Sequence, residues 1–291
     1  MENNYYFLQF KLFSSKLSDL IDSFGYSLEG RIFDKFEYTF FLLINRIGLN
    51  INSISRLANQ EGVSHSGYSI SLLFRAIISD IIVGYYLYSF KSDKVTFENE
   101  LKIVDSVFLQ YALAVAPEEQ KLIEENEELR NNRLNELNKI LISEFGELLK
   151  DIKANNLVRK KPFAIRNEYG SRRELFTSDE FFQSKKDISE TEMFNHLKQK
   201  LVNIESYIAN LYILWRFFAQ YQHFTFFGAQ KLFDMDKLKL TLFHLYTLIS
   251  CYDFIHILSE RVFQHEIKEI ETLKLKLKHI SEELGVFENT N

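Results

Sequence analysis

The chain has little of what punctuates a polypeptide. Its 291 residues include 2 prolines and 10 glycines, against average usage of about 5% and 7%. Sandwiches, barrels and doubly wound sheets turn often, and tight turns draw on these two residues. Their scarcity excludes a turn-rich β fold and predicts long helices with few connections. The single cysteine, Cys251, excludes an internal disulfide. It lies in an apolar helical run and reads as a buried, inert thiol, which fits a reducing, cytoplasmic setting. Met1-Glu2-Asn3-Asn4-Tyr5 has no basic segment, so no signal peptide is expected. Asp80, Arg216 and Asp253 interrupt the longest apolar runs. No run is therefore expected to reach the 18 or more residues of a membrane span. A net charge of −5 excludes a general nucleic-acid coat, while leaving room for a local basic patch.

What is abundant is apolar and aromatic. Hydrophobic residues make up 46% of the chain, with 28 Phe and 15 Tyr. Aromatic residues alone lean towards strand. Here they recur among Leu, Ile, Glu and Lys at three- and four-residue spacing, which is the period of a helix. The expectation is an all-α fold: a multi-helix bundle of long antiparallel helices with a long C-terminal helix. It is read as one domain over 1–291, carrying an irregular basic insertion at about 155–188.

Along the chain, Tyr6, Leu8, Phe10 and Leu12 alternate as in a strand, but Leu17, Leu20, Ile21 and Phe24 follow at helical spacing, which favours a helix. A second helix is expected over about 31–59 and a third, nearly all apolar, over about 69–90. An all-apolar helix belongs in the middle of a bundle. Arg75 and Asp80 are the charges on this third helix, and each needs a partner elsewhere if buried. Further helices are expected over about 97–116 and, opened by Pro117, to about Lys153. The stretch from 155 to 187 has no clear period and is rich in cations, among them Arg159, Lys160, Lys161, Arg172 and Arg173. Ser189-x-x-Glu192 has the form of a capping box. A single last helix is expected over about 236–283. Phe263, Ile267, Ile270, Leu277, Ile280 and Leu284 stand near heptad spacing in this region, a seam for a partner helix or a second copy of the chain.

The constellation with the sharpest chemistry is Trp215-Arg216-Phe217-Phe218-Ala219-Gln220-Tyr221-Gln222-His223. Seven residues is two helical turns, so Arg216 and His223 share a face, roughly 10 Å apart along the axis. Their long side chains can converge on one phosphate. This spacing resembles the Arg-x4-6-His signature of the HEPN superfamily, compact helical bundles that include many RNases of toxin and antiphage systems. The wider "LYILWRFFAQYQHFT" and the earlier "LLFRAIISDIIVGYYL" also resemble a set of uncharacterised bacterial helical proteins. The resemblance covers about 70–90 and 205–260, and Arg75 and Asp80 fall within it. It departs from the HEPN pattern at Phe217, where a polar residue often follows the arginine.

The resemblance implies a metal-independent endoribonuclease. His223 would be the general base on a ribose 2′-hydroxyl, a role suited to a pKa near neutrality. Arg216 would hold the scissile phosphate, with RNA guided by Arg159, Lys160, Lys161, Arg172 and Arg173. The alternative is a non-enzymatic helical interaction or regulatory protein. In it Arg216 pairs with a buried acid such as Asp80, and His223 is a satisfied core histidine. Asp253-x-x-His256 could place two ligands on a bundle face, but no second motif completes a metal site. There is no Gly-rich phosphate loop, no Gly-x-Ser-x-Gly elbow and no zinc-type Cys cluster, so no cofactor or metal is expected.

Overall fold

The computed structural model describes residues 2–60, 66–101, 103–105, 128, 132, 188–200, 205–220 and 237–282. Of the described part 87% is helical, and no strand occurs in it. The all-α bundle is therefore the architecture. Most of the helix expected over about 97–116, most of the one from Pro117 to about Lys153, and the basic stretch 155–187 lie outside the described residues.

The chain divides into two compact units, one formed by Met1–Ser89 with Met193–Asn291 and the other by Phe90–Glu192. In the first unit, α1 (Glu2–Ser27) is followed by α2 (Lys35–Asn59) and α3 (Ser66–Tyr88). The return segment supplies most of α4 (Glu190–Lys200), then α5 (Glu205–Ala219), α6 (Lys237–Arg261) and α7 (Lys268–Glu282). In the second unit, 94–101 is helical, and Asp93 caps it by accepting from the Thr96 backbone N–H at 3.0 Å. Ser189 and Glu192 make the expected capping box: Glu192 Oε2 accepts from the Ser189 N–H at 2.9 Å, and the Glu192 N–H donates to Ser189 Oγ at 3.3 Å.

The alternation near the start of α1 is resolved by burial. Phe10, Phe13, Leu17, Ile21 and Phe24 are buried at helical spacing, whereas Leu8 and Leu12 lie on the exposed face. The chain leaves α1 through a turn at Gly30, whose φ of +79° is the left-handed region that glycine enters without strain. It enters α2 through a capping box, Asp34 with Glu37, that fixes the helix start four residues later than the periodicity suggested. Ile32, inside the range read as that helix, is 94% exposed in the connecting segment instead. Arg31 staples this turn to the end of α6, donating to the Phe263 carbonyl at 2.7 Å and pairing with Glu37.

Helices α3 and α6 form the middle of the bundle. α3 packs on α2, α5 and α6; α6 packs on α1, α3, α5 and α7. Ile77, Ile78, Ile81, Ile82, Leu211, Leu214, Phe218, Leu245 and Leu248 are all buried on these three helices, α3, α5 and α6, which pack against one another. Gly84 gives the Phe254 ring of α6 room against α3: a Cβ there would stand 2.3 Å from Phe254 Cζ. Both helices are long and apolar enough by length and composition to cross a membrane, contrary to the expectation from charge interruptions alone. In this fold 67% of the α3 window and 50% of the α6 window is buried, as the central helices of a bundle require.

The last helix is two helices, not one. Between α6 and α7 the His265 N–H bonds back to the Ser259 carbonyl at 2.8 Å, and Gln264 adopts φ +52°. A left-handed residue ends a helix, and here glutamine takes the place usually held by glycine. α7 then folds back along α6, with Lys274 Nζ 2.9 Å from Asp253 Oδ1. Ile270, Leu277 and Ile280, read as a seam for a partner, are buried within this chain, where α7 packs on α6 and α1.

Candidate functional site

α5 carries the candidate arginine. Ile208, Leu211, Trp215 and Phe218 recur at three- and four-residue spacing and are buried, so α5 lays this stripe onto α3 and α6. The opposite side points to solvent: Ile213 is 62% exposed and Arg216 is exposed. The Arg216 guanidinium lies 6.0 Å from the Tyr212 ring centre. No carboxylate pairs with it among the described residues. Arg216 is thus not a buried tie to Asp80, as the structural alternative required. His223 lies outside the described residues, as do Arg159, Lys160, Lys161, Arg172 and Arg173.

Asp80 is 4% exposed, and the cation beside it is Arg46 of α2, with Nε 3.1 Å from Asp80 Oδ2. That oxygen has no aligned hydrogen bond, so the contact is an ion pair only. Burial pushes the Asp80 carboxyl from 3.8 up to about 7, and Arg46 offsets part of that rise. Nothing in the sequence distinguishes Arg46 from other helix-surface arginines. Only the packing of α2 on α3 brings it to Asp80.

Arg75 is answered differently. Its guanidinium sits 5.2 Å from the Trp215 ring centre, a cation–π contact between α3 and α5. Its Nε and the Trp215 indole Nε1 are both buried without a hydrogen-bond acceptor. An aromatic row continues from this point. Trp215 lies near-parallel to Tyr212 at 5.7 Å, and Tyr212 stacks on Phe194 of α4 at 4.1 Å and 4°. Lys198 stands 5.6 Å from the Phe194 ring centre. Arg75, Arg216 and Lys198 therefore border one aromatic row.

A histidine that the sequence did not single out forms an enclosed polar contact. His244 Nε2 is 2.9 Å from Ser71 Oγ, amid the rings of Phe10, Phe74 and Phe218. Burial lowers its pKa from 6.5 to about 3, so the ring is neutral. Serine beside histidine suggests nucleophile activation, but the protons run the wrong way. The Ser71 hydroxyl donates to the Gly67 carbonyl at 2.8 Å, so its oxygen accepts from His244 Nε2–H. Ser71 is fully buried and His244 is 4% exposed. The pair ties α3 to α6 and meets no substrate. Its two residues are separated by 173 positions, and no local pattern announces them.

Asp253 and His256 are occupied separately: Asp253 by Lys274, and His256 by Glu260 at 3.5 Å. Among the described residues no group of three metal-ligating side chains comes together. An open cleft of about 550 Å³ lies between the end of α1 and α2, lined in part by Asp22, Tyr26, Arg31, Phe33 and Asn45. Its arginine is already held by Glu37 and the Phe263 carbonyl, so it offers no free catalytic cation. Cys251 is fully buried, and its thiol is pushed well above the usual range by burial.

No family model matches this chain, and neither a curated protein nor a solved structure is significantly similar to it.

Proposed function

We propose that the chain is a metal-independent endoribonuclease, with Arg216 as phosphate anchor and His223 as general base. The observation that carries this reading is the setting of Arg216: exposed on α5, with no carboxylate partner among the described residues. A structural arginine on an apolar helix is held by an acid. An arginine left to solvent beside other cations can take an anionic ligand. In the reaction, His223 removes the proton of a ribose 2′-hydroxyl. The oxygen attacks the adjacent phosphorus, and the bond to the 5′ oxygen breaks. The products are a 2′,3′-cyclic phosphate and a 5′-hydroxyl end, which takes up a proton. Arg216 stabilises the charge that develops on the phosphoryl oxygens.

The HEPN-like spacing of the two residues supports this reading and suggests a place in a toxin or antiphage system, acting in the cytoplasm on RNA. The basic residues Arg159, Lys160, Lys161, Arg172 and Arg173 would add guiding charge. The test is RNA cleavage by the full chain in EDTA, which this mechanism survives because neither role needs a metal. Arg216→Ala and His223→Ala should each lose roughly 10²–10⁴-fold of activity. A wild-type protein that leaves RNA intact, or an Arg216→Ala variant that cleaves as well as wild type, would remove the proposal.

A further inference from the structure

We infer that Arg75 and the indole N–H of Trp215 form a second phosphate-binding site for RNA, at the seam of α3 and α5, with Arg216 on its rim. The choice of RNA rests on the endoribonuclease reading; the site itself rests on the unmatched donors. Arg75 Nε and Trp215 Nε1 are both buried, and among the described residues neither has an acceptor. More than about nine in ten buried polar groups in proteins are hydrogen-bonded. Two unmatched groups brought within a single contact, with the guanidinium 5.2 Å from the indole ring, are unusual. Both are donors, so the complementary group is an acceptor. One of them is cationic, so that acceptor is an anion.

No acid among the described residues pairs with these donors. Asp80, the other charge on α3, is taken by Arg46, and neither Arg75 nor Arg216 has an ion pair among the described residues. A planar guanidinium with an N–H beside it suits the several oxygens of a phosphate. The cations also come as a series. Arg75 lies on Trp215, Arg216 by Tyr212 and Lys198 on Phe194, along one aromatic row. A lone small anion needs one of these. A chain of phosphates uses them in succession, and its binding falls with salt as counterions are released.

Trp215 is the single tryptophan of the chain, so its emission reports directly from the site. The probe is a 2′-O-methyl oligouridylate, which lacks the attacking hydroxyl and cannot be cleaved. Added to the full-length protein, it should change Trp215 emission saturably. Arg75→Gln should weaken this binding about tenfold and lower its salt slope by about 1. Arg75→Lys, which keeps the charge and guards against a folding defect, should fall between. Arg46→Gln, whose cation faces Asp80, should bind as wild type. Unchanged emission, or equal affinity in wild type and Arg75→Gln, overturns the site. A response to inorganic phosphate without one to the oligonucleotide overturns RNA as its ligand. Probe binding that depends on Arg75, in a protein that leaves ordinary RNA intact, removes the endoribonuclease reading and keeps this one. RNA cleavage by a protein whose probe binding ignores Arg75 does the reverse.

Discussion

Ser71 and Arg75 stand one turn apart on α3, and the bundle treats them in opposite ways. At Ser71 every polar atom has a destination: the hydroxyl proton goes to Gly67 and the oxygen to His244. At Arg75 a cation rests on an aromatic face, while its Nε and the neighbouring indole nitrogen find no acceptor among the described residues. The first arrangement is closed and the second is open. In a low-dielectric interior a satisfied polar pair rigidifies the packing, and an unmatched donor is costly. The closed pair, Ser71 with His244, therefore serves stability, and the open pair, Arg75 with Trp215, is where the proposed phosphate site lies.

The sharpest way to break this comparison is to open the closed side. Phe218 is fully buried and lies 6.4 Å from Phe74 and 5.8 Å from His244, centre to centre. Phe218→Ala should cost about 3–5 kcal/mol in chemical denaturation, since the deleted ring leaves a cavity. Ile213→Ala, on the exposed side of the same helix, should stay within about 0.5 kcal/mol. Similar losses at both positions would mean that α5 has no inner and outer face.

Asp80 offers the next largest effect, through pH. Its carboxyl titrates near 7 in the fold against 3.8 ordinarily, so the native state holds the proton more tightly. That contribution is complete below about pH 4 and is lost as pH rises towards 7. His244 works in the other direction, with a pKa of about 3 in the fold against 6.5. Its contribution is complete above pH 6.5 and is lost as pH falls. Between about pH 4 and 6.5 the two slopes oppose one another. Asp80→Asn removes one of them. The variant should gain roughly 2–4 kcal/mol at pH 8, because the desolvated charge is gone. It should also lose stability more steeply than wild type below pH 6.5. Superimposable stability profiles from pH 4 to 8 would show that Asp80 is neither desolvated nor coupled to folding.

These two residues also mark how far the sequence could be read. The helical class followed from scarce proline and glycine and from apolar spacing. The apolar stripes of α3, α5 and α6 are buried because stripe positions depend only on the helical period. The break at Gln264 was not legible, since neither glycine nor proline stands there, and a left-handed glutamine is fixed by tertiary packing around Phe263. Arg46 beside Asp80 and Ser71 beside His244 were hidden for a related reason. Partner choice across a bundle depends on helix adjacency and rotation, which a one-dimensional pattern does not specify. Arg75 was recognisable as a charge in need of a partner, but an aromatic ring as that partner was not.

A smaller loss separates the closed and open sides directly. Ser71→Ala should cost about 1–3 kcal/mol, because it leaves the His244 Nε2–H buried without an acceptor. The change deletes one oxygen and little volume, so a cavity contributes little. A Ser71→Ala protein as stable as wild type would show that the contact between α3 and α6 at this point is incidental.

The smallest expected effect is the most informative about function. Arg216 is exposed and has no ionic partner among the described residues. Arg216→Ala should therefore change stability by less than about 0.5 kcal/mol. The rival view, in which the arginine neutralises a buried acid, requires a loss of roughly 3–5 kcal/mol, because the acid would be left uncompensated. A gap of at least about 2.5 kcal/mol between the two expectations lies well outside the error of a thermal or urea melt. The same purified variant can be assayed for RNA cleavage, so stability and activity are read from one sample. Unchanged melting together with lost cleavage assigns Arg216 to chemistry. Unfolding on substitution assigns it to the core, and the phosphate-anchor role falls with it.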